Sequence, residues 1–135
     1  AARARELAQQ LHDQNAERQQ VEAQIRELCE KIEVTGAERA LVFCGEGWHR
    51  GVLGIVASRM VERYYRPTFV LSANPEDGLA QGSGRSIAAF HLLEALESMP
   101  DLFLKFGGHE HAAGVTLEAA RVDEFRERFN AWAAK

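Results

Sequence analysis

Cysteine and proline are scarce in this chain, with two and three residues among 135. Two cysteines cannot form the framework on which small secreted domains rely. Cys29 and Cys44 sit in apolar contexts and read as small core residues, which fits a reducing compartment and a cytoplasmic location. No Cys-x-x-Cys or His-Glu-x-x-His is present, and no Gly-x-Ser-x-Gly elbow. No Gly-Lys-Ser/Thr follows a glycine and four variable residues, so a nucleotide triphosphate is not the expected ligand. Asp13, Asp77, Asp101 and Asp123 are scattered. A two-metal hydrolytic site needs carboxylates and histidines gathered around ions about 3.5–4 Å apart, and no such cluster occurs. No apolar run approaches the roughly 20 residues of a membrane-spanning helix, and no membrane partner is expected. The chain does not open on a secretory pattern. Positive charge is also lacking: the net charge is −4, and segment 45–111 holds more acids than Lys and Arg. A broad basic surface is therefore excluded, and a polyanionic partner would have to be held by a few convergent groups.

What is present suffices for one domain with an appendage. A chain of this size buries roughly 68–70% of its unfolded surface, enough for a core without staples. Ala1 to Ile32 contains no Gly or Pro and is rich in Ala, Glu, Gln, Arg and Leu, which predicts one long helix. Leu7, Leu11, Val21, Ile25, Leu28 and Ile32 form a stripe at 3–4 spacing, interrupted by Gln14, Asn15 and Arg18. That interruption fits a solvated or coiled-coil seam, and equally a helix lining a site between two domains. Thr35 and Gly36 mark a helix stop and hinge, placing a boundary between residues 1–39 and a domain of residues 40–135.

Ala40–Cys44 is an apolar strand, Val52–Tyr65 a helix and Thr68–Leu71 a second strand. This unit implies two parallel strands joined by a right-handed crossover. Asn74–Gly78 is a turn, and Leu79–Gly82 returns antiparallel. His91–Met99 and Val122–Ala134 are helices, the latter with Val122, Phe125, Phe129 and Trp132 on one face, and Val115–Leu117 is a last strand. The expected class is α/β: a mixed β-sheet with flanking helices, preceded by one long N-terminal helix.

Two glycine-rich segments carry the chemistry. Gly82-Ser83-Gly84-Arg85-Ser86 combines hydroxyls with a cationic fork suited to phosphate. Gly107-Gly108-His109-Glu110-His111-Ala112-Ala113-Gly114 places a histidine after two glycines, and glycine lets backbone N–H groups approach an anion. The candidate phosphate-binding residues are Ser83, Gly84, Arg85, Ser86, Gly107 and Gly108, with His109 as a donor or base. Trp48 and His49 lie in a loop after a strand, where α/β folds often bind ligands. Trp48 reads as a core cap, whereas the role of His49 stays open. His109 and His111, with His49 and Glu110, do not make a fixed ligand set, so no metal site is expected. His12 and His91 fall on helix patterns and receive no role.

Taken in order, Gly45-Glu46-Gly47-Trp48-His49-Arg50-Gly51-Val52-Leu53-Gly54, Arg66-Pro67, Gly82-Ser83-Gly84-Arg85-Ser86 and Phe106-Gly107-Gly108-His109 with Ala112-Ala113-Gly114 resemble the RecJ family. These are single-strand-specific 5′→3′ DNA exonucleases of the DHH phosphoesterase superfamily. The resemblance covers roughly Leu41 to Leu117. Leu11 to Ile25, with Asn15-Ala16-Glu17-Arg18-Gln19, resembles the long helix joining that family's two core domains.

The resemblance implies an excised piece: a connecting helix plus the DHH-associated, substrate-binding domain of an enzyme of DNA repair and recombination. Mn²⁺ or Mg²⁺ would be held by a missing N-terminal domain with an Asp-His-His motif, an OB-fold would follow, and none of these metals is expected here. Single-stranded DNA is the implied partner. Ser83 and Arg85 would grip a phosphate near the 5′ end, His109 would face the scissile phosphate, and Asn15 and Arg18 would line a narrow opening that admits one strand. Glu110 and His111 fall in variable positions of the pattern. The same associated domain occurs with oligonucleotide and cyclic-dinucleotide phosphodiesterases and in alanyl-tRNA synthetases; the long helix and Gly-Glu-Gly-Trp-His favour the RecJ type. A non-enzymatic alternative is a phosphate-binding module that dimerises through its first helix.

Overall fold

The computed structural model describes residues 2–32 and 34–135, with side chains from residue 16 onward. Helix α1 (Ala2–Lys31) is followed by β1 (Leu41–Glu46), α2 (Leu53–Tyr64), β2 (Thr68–Asn74), β3 (Leu79–Arg85), α3 (Leu92–Glu97), β4 (Lys105–Gly108), β5 (Ala112–Glu118) and α4 (Val122–Ala133). Short 3-10 turns precede α2 and α4. The five strands form one mixed sheet in the order β1-β2-β3-β5-β4. The β1–β2 pair is parallel and α2 is its crossover; the other pairs are antiparallel.

Local chemistry accounts for the β2–β3 connection. Asn74 Oδ1 accepts from the Glu76 N–H and Asp77 Oδ1 from the Leu79 N–H, both at 2.9 Å. Gly78 takes φ +71°, a left-handed conformation that glycine adopts without steric cost.

Three strands run further through glycine than residue preference indicates. β3 reaches Arg85 instead of stopping at Gly82, and the second glycine segment supplies β4 and the start of β5. Glycine is a poor strand former, but β3 is hydrogen-bonded on both sides, to β2 and β5, and the ladder overrides local propensity.

The sheet is packed on both faces. On one, α3 and α4 bury Phe69, Leu71, Leu96, Leu117, Phe125 and Phe129. Phe69 meets Phe125 and Phe129 edge-on at 5.2 and 5.4 Å between centroids. On the other, Leu53, Val56, Ala57 and Met60 of α2 pack over Leu41, Phe43 and Val70, and α1 adds Ile25 and Cys29. Burial drives the Cys29 thiol pKa up to about 12, with the Glu30 carboxylate adding to the effect. Burial also raises the Cys44 thiol, so both behave as apolar core groups. The contact stripe of α1 differs from the sequence reading: Cys29 is fully buried, whereas Leu28 and Ile32 are each 46% exposed. After Ile25 the contact with α2 advances by four residues, not three. Among the described residues, no helix is long and apolar enough to cross a membrane.

Candidate nucleic-acid interface

Helix α2 covers β1, β2 and the near side of β3, and the same face of β5 and β4 is left to solvent. Register decides what that face displays. Val70 pairs with Ser83, Ser83 with Gly114, and Gly114 with Gly107, so these four share one row. On one side of this row lies Thr68–Arg85–Ala112, and on the other Ser72–Gln81–Thr116–Lys105. In β3 the side chains alternate, with Gln81, Ser83 and Arg85 outward and Ala80, Gly82 and Gly84 buried.

The glycines therefore divide into two kinds. At Gly84 a Cβ would stand 2.5 Å from the Phe69 ring, and at Gly82 it would stand 2.0 Å from the Val70 carbonyl oxygen. Gly108, at φ +145°, would meet the Ala112 oxygen at 2.4 Å. Those three are required by packing inside the chain. Gly107 has nothing within 4 Å of a Cβ, and Gly114 only the Gly82 carbonyl oxygen at 3.6 Å. Among the described residues nothing fills the space above them, and the result is a flat floor beside Ser83.

Arg85 reaches from this floor to the first turn of α2. Its Nη1 donates to the Gly84 carbonyl at 2.8 Å. Among the described residues no carboxylate pairs with it, and its remaining N–H donors are available. The Ser83 hydroxyl likewise makes no hydrogen bond within the described residues. Ser86 is different. Its hydroxyl donates to the Ile87 and Phe90 carbonyls at 3.1 and 2.9 Å, and its N–H to the His111 carbonyl at 3.1 Å. Its polar groups hold the β3–α3 connection and are not presented to the open face.

His109 follows β4. Its N–H donates to the Ala112 carbonyl at 2.8 Å, and Ala112 pairs on its other side with Arg85. Arg85 and His109 thus flank one residue of β5, about 10 Å apart at the backbone by the usual strand spacing. His109 Nδ1 accepts from the His111 N–H at 3.3 Å, so the neutral ring carries its proton on Nε2, and the side chain is exposed. Glu110 approaches His111 at 3.5 Å.

His49 caps the 3-10 turn before α2, its Nδ1 accepting from the Gly51 N–H at 3.0 Å. It lines a cleft of about 350 Å³ together with Glu17, Arg18 and Val52, so the structure brings Arg18 of α1 to His49. Asn15 lies outside the residues whose side chains are described. Trp48 packs on the α2 side of the core, its ring over Gly45. Among the described residues, no group of three His, Cys, Asp or Glu side chains is placed to hold a metal ion. The donor set on the open face, hydroxyls, guanidinium and amine, does not fit a divalent cation and does fit an anion.

Gly54, Gln81, Lys105 and Gly114 join this face without having been singled out individually in the sequence. For Gln81 and Lys105 a signal existed: each stands two residues before a candidate, Ser83 or Gly107, and period-2 alternation puts them on the same side.

Residues 37–135 match the DHHA1 domain family. The chain is 44% identical over 129 residues to the single-stranded-DNA-specific exonuclease RecJ of Bacillus subtilis (strain 168), covering 94% of this chain and 16% of that protein. It superposes on RecJ of Thermus thermophilus in complex with Mg²⁺ with a TM-score of 0.88 at 36% identity, covering 99% of this chain and 21% of that one. A manganese-bound structure of exonuclease RecJ gives 0.84 at 38%, covering 100% and 33%. The chain thus spans about a sixth to a third of the length of these relatives.

Proposed function

The chain belongs to the DHHA1 domain family, and from that premise we propose that it is the substrate-binding part of a RecJ-type single-stranded-DNA exonuclease. In this reading residues 1–39 connect to a preceding DHH domain that holds Mn²⁺ or Mg²⁺, residues 40–135 bind the strand, and an OB-fold follows. The whole enzyme would act in the cytoplasm, in DNA repair and recombination. The observation that carries the reading is the bare floor of Gly107 and Gly114 beside Ser83 and Arg85.

The floor admits a sugar-phosphate backbone to van der Waals contact with the sheet. Arg85 binds a terminal phosphate through its two-pronged donor set, and the Ser83 hydroxyl adds a third donor. His109, across Ala112 from Arg85, presents Nε2–H toward the next phosphodiester and stabilises the charge that grows on it during hydrolysis. Arg18, beside His49 on α1, borders the approach. Because the cations are few and placed on one face, an acidic chain holds a polyanion without a general basic surface.

The test is steady-state exonuclease kinetics of the full-length enzyme on a 5′-phosphorylated single strand, each variant's fold checked by circular dichroism. Arg85→Ala is expected to raise KM, since it removes ground-state grip. His109→Ala is expected to lower kcat by about 10²–10³, the usual loss for one donor aimed at developing charge. Folded variants that keep the parental kcat/KM would refute the assignment.

A further inference from the structure

On the reading of His109 as the donor that faces the reacting phosphate, we propose that Ser86 is its positioning residue, acting through the turn at Glu110 and His111. The His109 N–H donates to the Ala112 carbonyl at 2.8 Å, so only Glu110 and His111 lie between the paired ends of β4 and β5. Loops of that length favour turns with positive φ at one or both central residues, which match the twist of the strands. Neither Glu110 nor His111 has positive φ; Gly108, at φ +145°, is the nearest residue that does. Among the described residues, the bond that closes an ordinary turn, from the Ala112 N–H to the His109 carbonyl, is not made. The turn therefore does not support itself.

Two backbone donors from outside the hairpin hold it instead. The Ser86 N–H donates to the His111 carbonyl at 3.1 Å, and the Leu92 N–H to the Glu110 carbonyl at 2.8 Å. Leu92 is fully buried at the start of α3. Ser86 ends β3, and its hydroxyl ties down the connection to α3 through the Ile87 and Phe90 carbonyls at 3.1 and 2.9 Å. Phe90 in turn meets Phe129 of the core edge-on, at 5.9 Å between centroids. The turn held in this way aims the His109 ring. The His111 N–H donates to His109 Nδ1 at 3.3 Å, which leaves Nε2–H as the donor toward a ligand. Arg85 does not depend on these contacts. Its backbone is paired with Thr68 and Ala112, and its guanidinium donates to the Gly84 carbonyl. Ser86 is thus coupled to the group that acts on the reacting phosphate, and not to the group that grips the terminal one.

The experiment is a double-mutant cycle in the full-length enzyme, with steady-state kinetics on a 5′-phosphorylated single strand. Ser86→Ala is expected to lower kcat about tenfold, the scale of a small misplacement at a reacting centre, with KM unchanged. Ser86→Thr keeps the hydroxyl and should restore kcat. In a His109→Ala background Ser86→Ala should cost nothing further, because a residue that acts through His109 has nothing left to act on. In the 135-residue chain, Ser86→Ala should speed amide hydrogen exchange at His109 and His111 and leave Gly84 and Arg85 as in the parent. Additive losses in the double variant overturn the proposal, since Ser86 then acts elsewhere. So does a loss that appears in KM, which puts Ser86 with Arg85 on the terminal phosphate. An unchanged kcat in Ser86→Ala, with His109→Ala impaired, removes the role of Ser86 and leaves that of His109. A His109→Ala enzyme with parental kcat overturns the underlying reading, and the positioning role with it.

Discussion

The Arg85 guanidinium lies against the backbone of Gly54, where a Cβ would stand 2.5 Å from Nη2. Gly54 sits in the first turn of α2, and its missing side chain lets the cation rest on the helix beside the glycine floor. Gly54→Ala should therefore separate stability from binding. Alanine favours a helix over glycine by about 1 kcal/mol, so the thermal midpoint should hold or rise. The displaced guanidinium should bind a 5′-phosphorylated nucleotide several-fold more weakly. Melting curves and titrations on the same preparation decide; unchanged binding would mean that Arg85 has room to settle elsewhere.

The chain by itself should not hydrolyse single-stranded DNA, even with excess manganese. Its described residues assemble no metal-binding group, and His109 and Arg85 can only assist a reaction driven from outside. A labelled oligonucleotide on a denaturing gel is the check. Degradation by the pure chain, abolished by His109→Ala, would place the chemistry here after all.

Strand β1 is an edge, and α4 blunts it. Arg126 donates to the Val42 carbonyl from Nε at 3.1 Å and from Nη2 at 2.9 Å. Asn130 Oδ1 accepts from the Arg39 and Ala40 N–H groups at 2.9 and 3.1 Å. Arg126→Ala should leave the carbonyl unpaired, cost about 1–3 kcal/mol in denaturant unfolding, and expose the edge to pairing between copies. Sedimentation should show association that rises with concentration in the variant and is absent in the parent.

A pH effect follows from Asp101, whose carboxylate accepts from Arg128 at 3.0 and 3.1 Å. That hydrogen bonding, chiefly, holds its pKa below 3.8, with the charges of Arg128 and Arg121 adding to it. A carboxylate depressed in the folded state stabilises fully above its unfolded pKa, near 3.9, and loses that contribution as pH falls through the folded value. Asp101→Asn should lower the thermal midpoint modestly at pH 7, where the interaction is fully present, and converge with the parent below about pH 4, so that its acid limb is flatter. An identical acid limb in parent and variant would show the pair to be without consequence.

Some of this molecule follows from short stretches of chain read alone. The β1–α2–β2 crossover is legible because apolar periodicity switches from two to 3.6 and back within about 35 residues. The turn at Asn74–Gly78 is legible because Asn, Asp and Gly each satisfy or permit a specific backbone geometry there. The glycine motifs point to the candidate interface for a similar reason: Ser, Arg and His beside glycine are unusual in a core. The same motifs hide their own structure, since Gly82–Arg85 and Lys105–Gly108 look like loops until the ladders on either side are known.

By itself, then, the sequence determined the α/β class, the order of the elements apart from β4, and the two segments that carry the candidate anion-binding groups, because each depends on residues within a few positions of one another. Only the tertiary structure decided which groups work together. Register between β3 and β5, more than 20 residues apart, sets Ser83 beside Gly114, and the β4–β5 pair adds Gly107 to the same row. It also turns Gly84 onto Phe69 instead of toward a ligand, and brings Lys105 into the row of Gln81. A shift of one residue in that register would exchange every one of these for its neighbour on the opposite face. Burial of the apolar face against α3 and α4 is the physical reason that it does not shift.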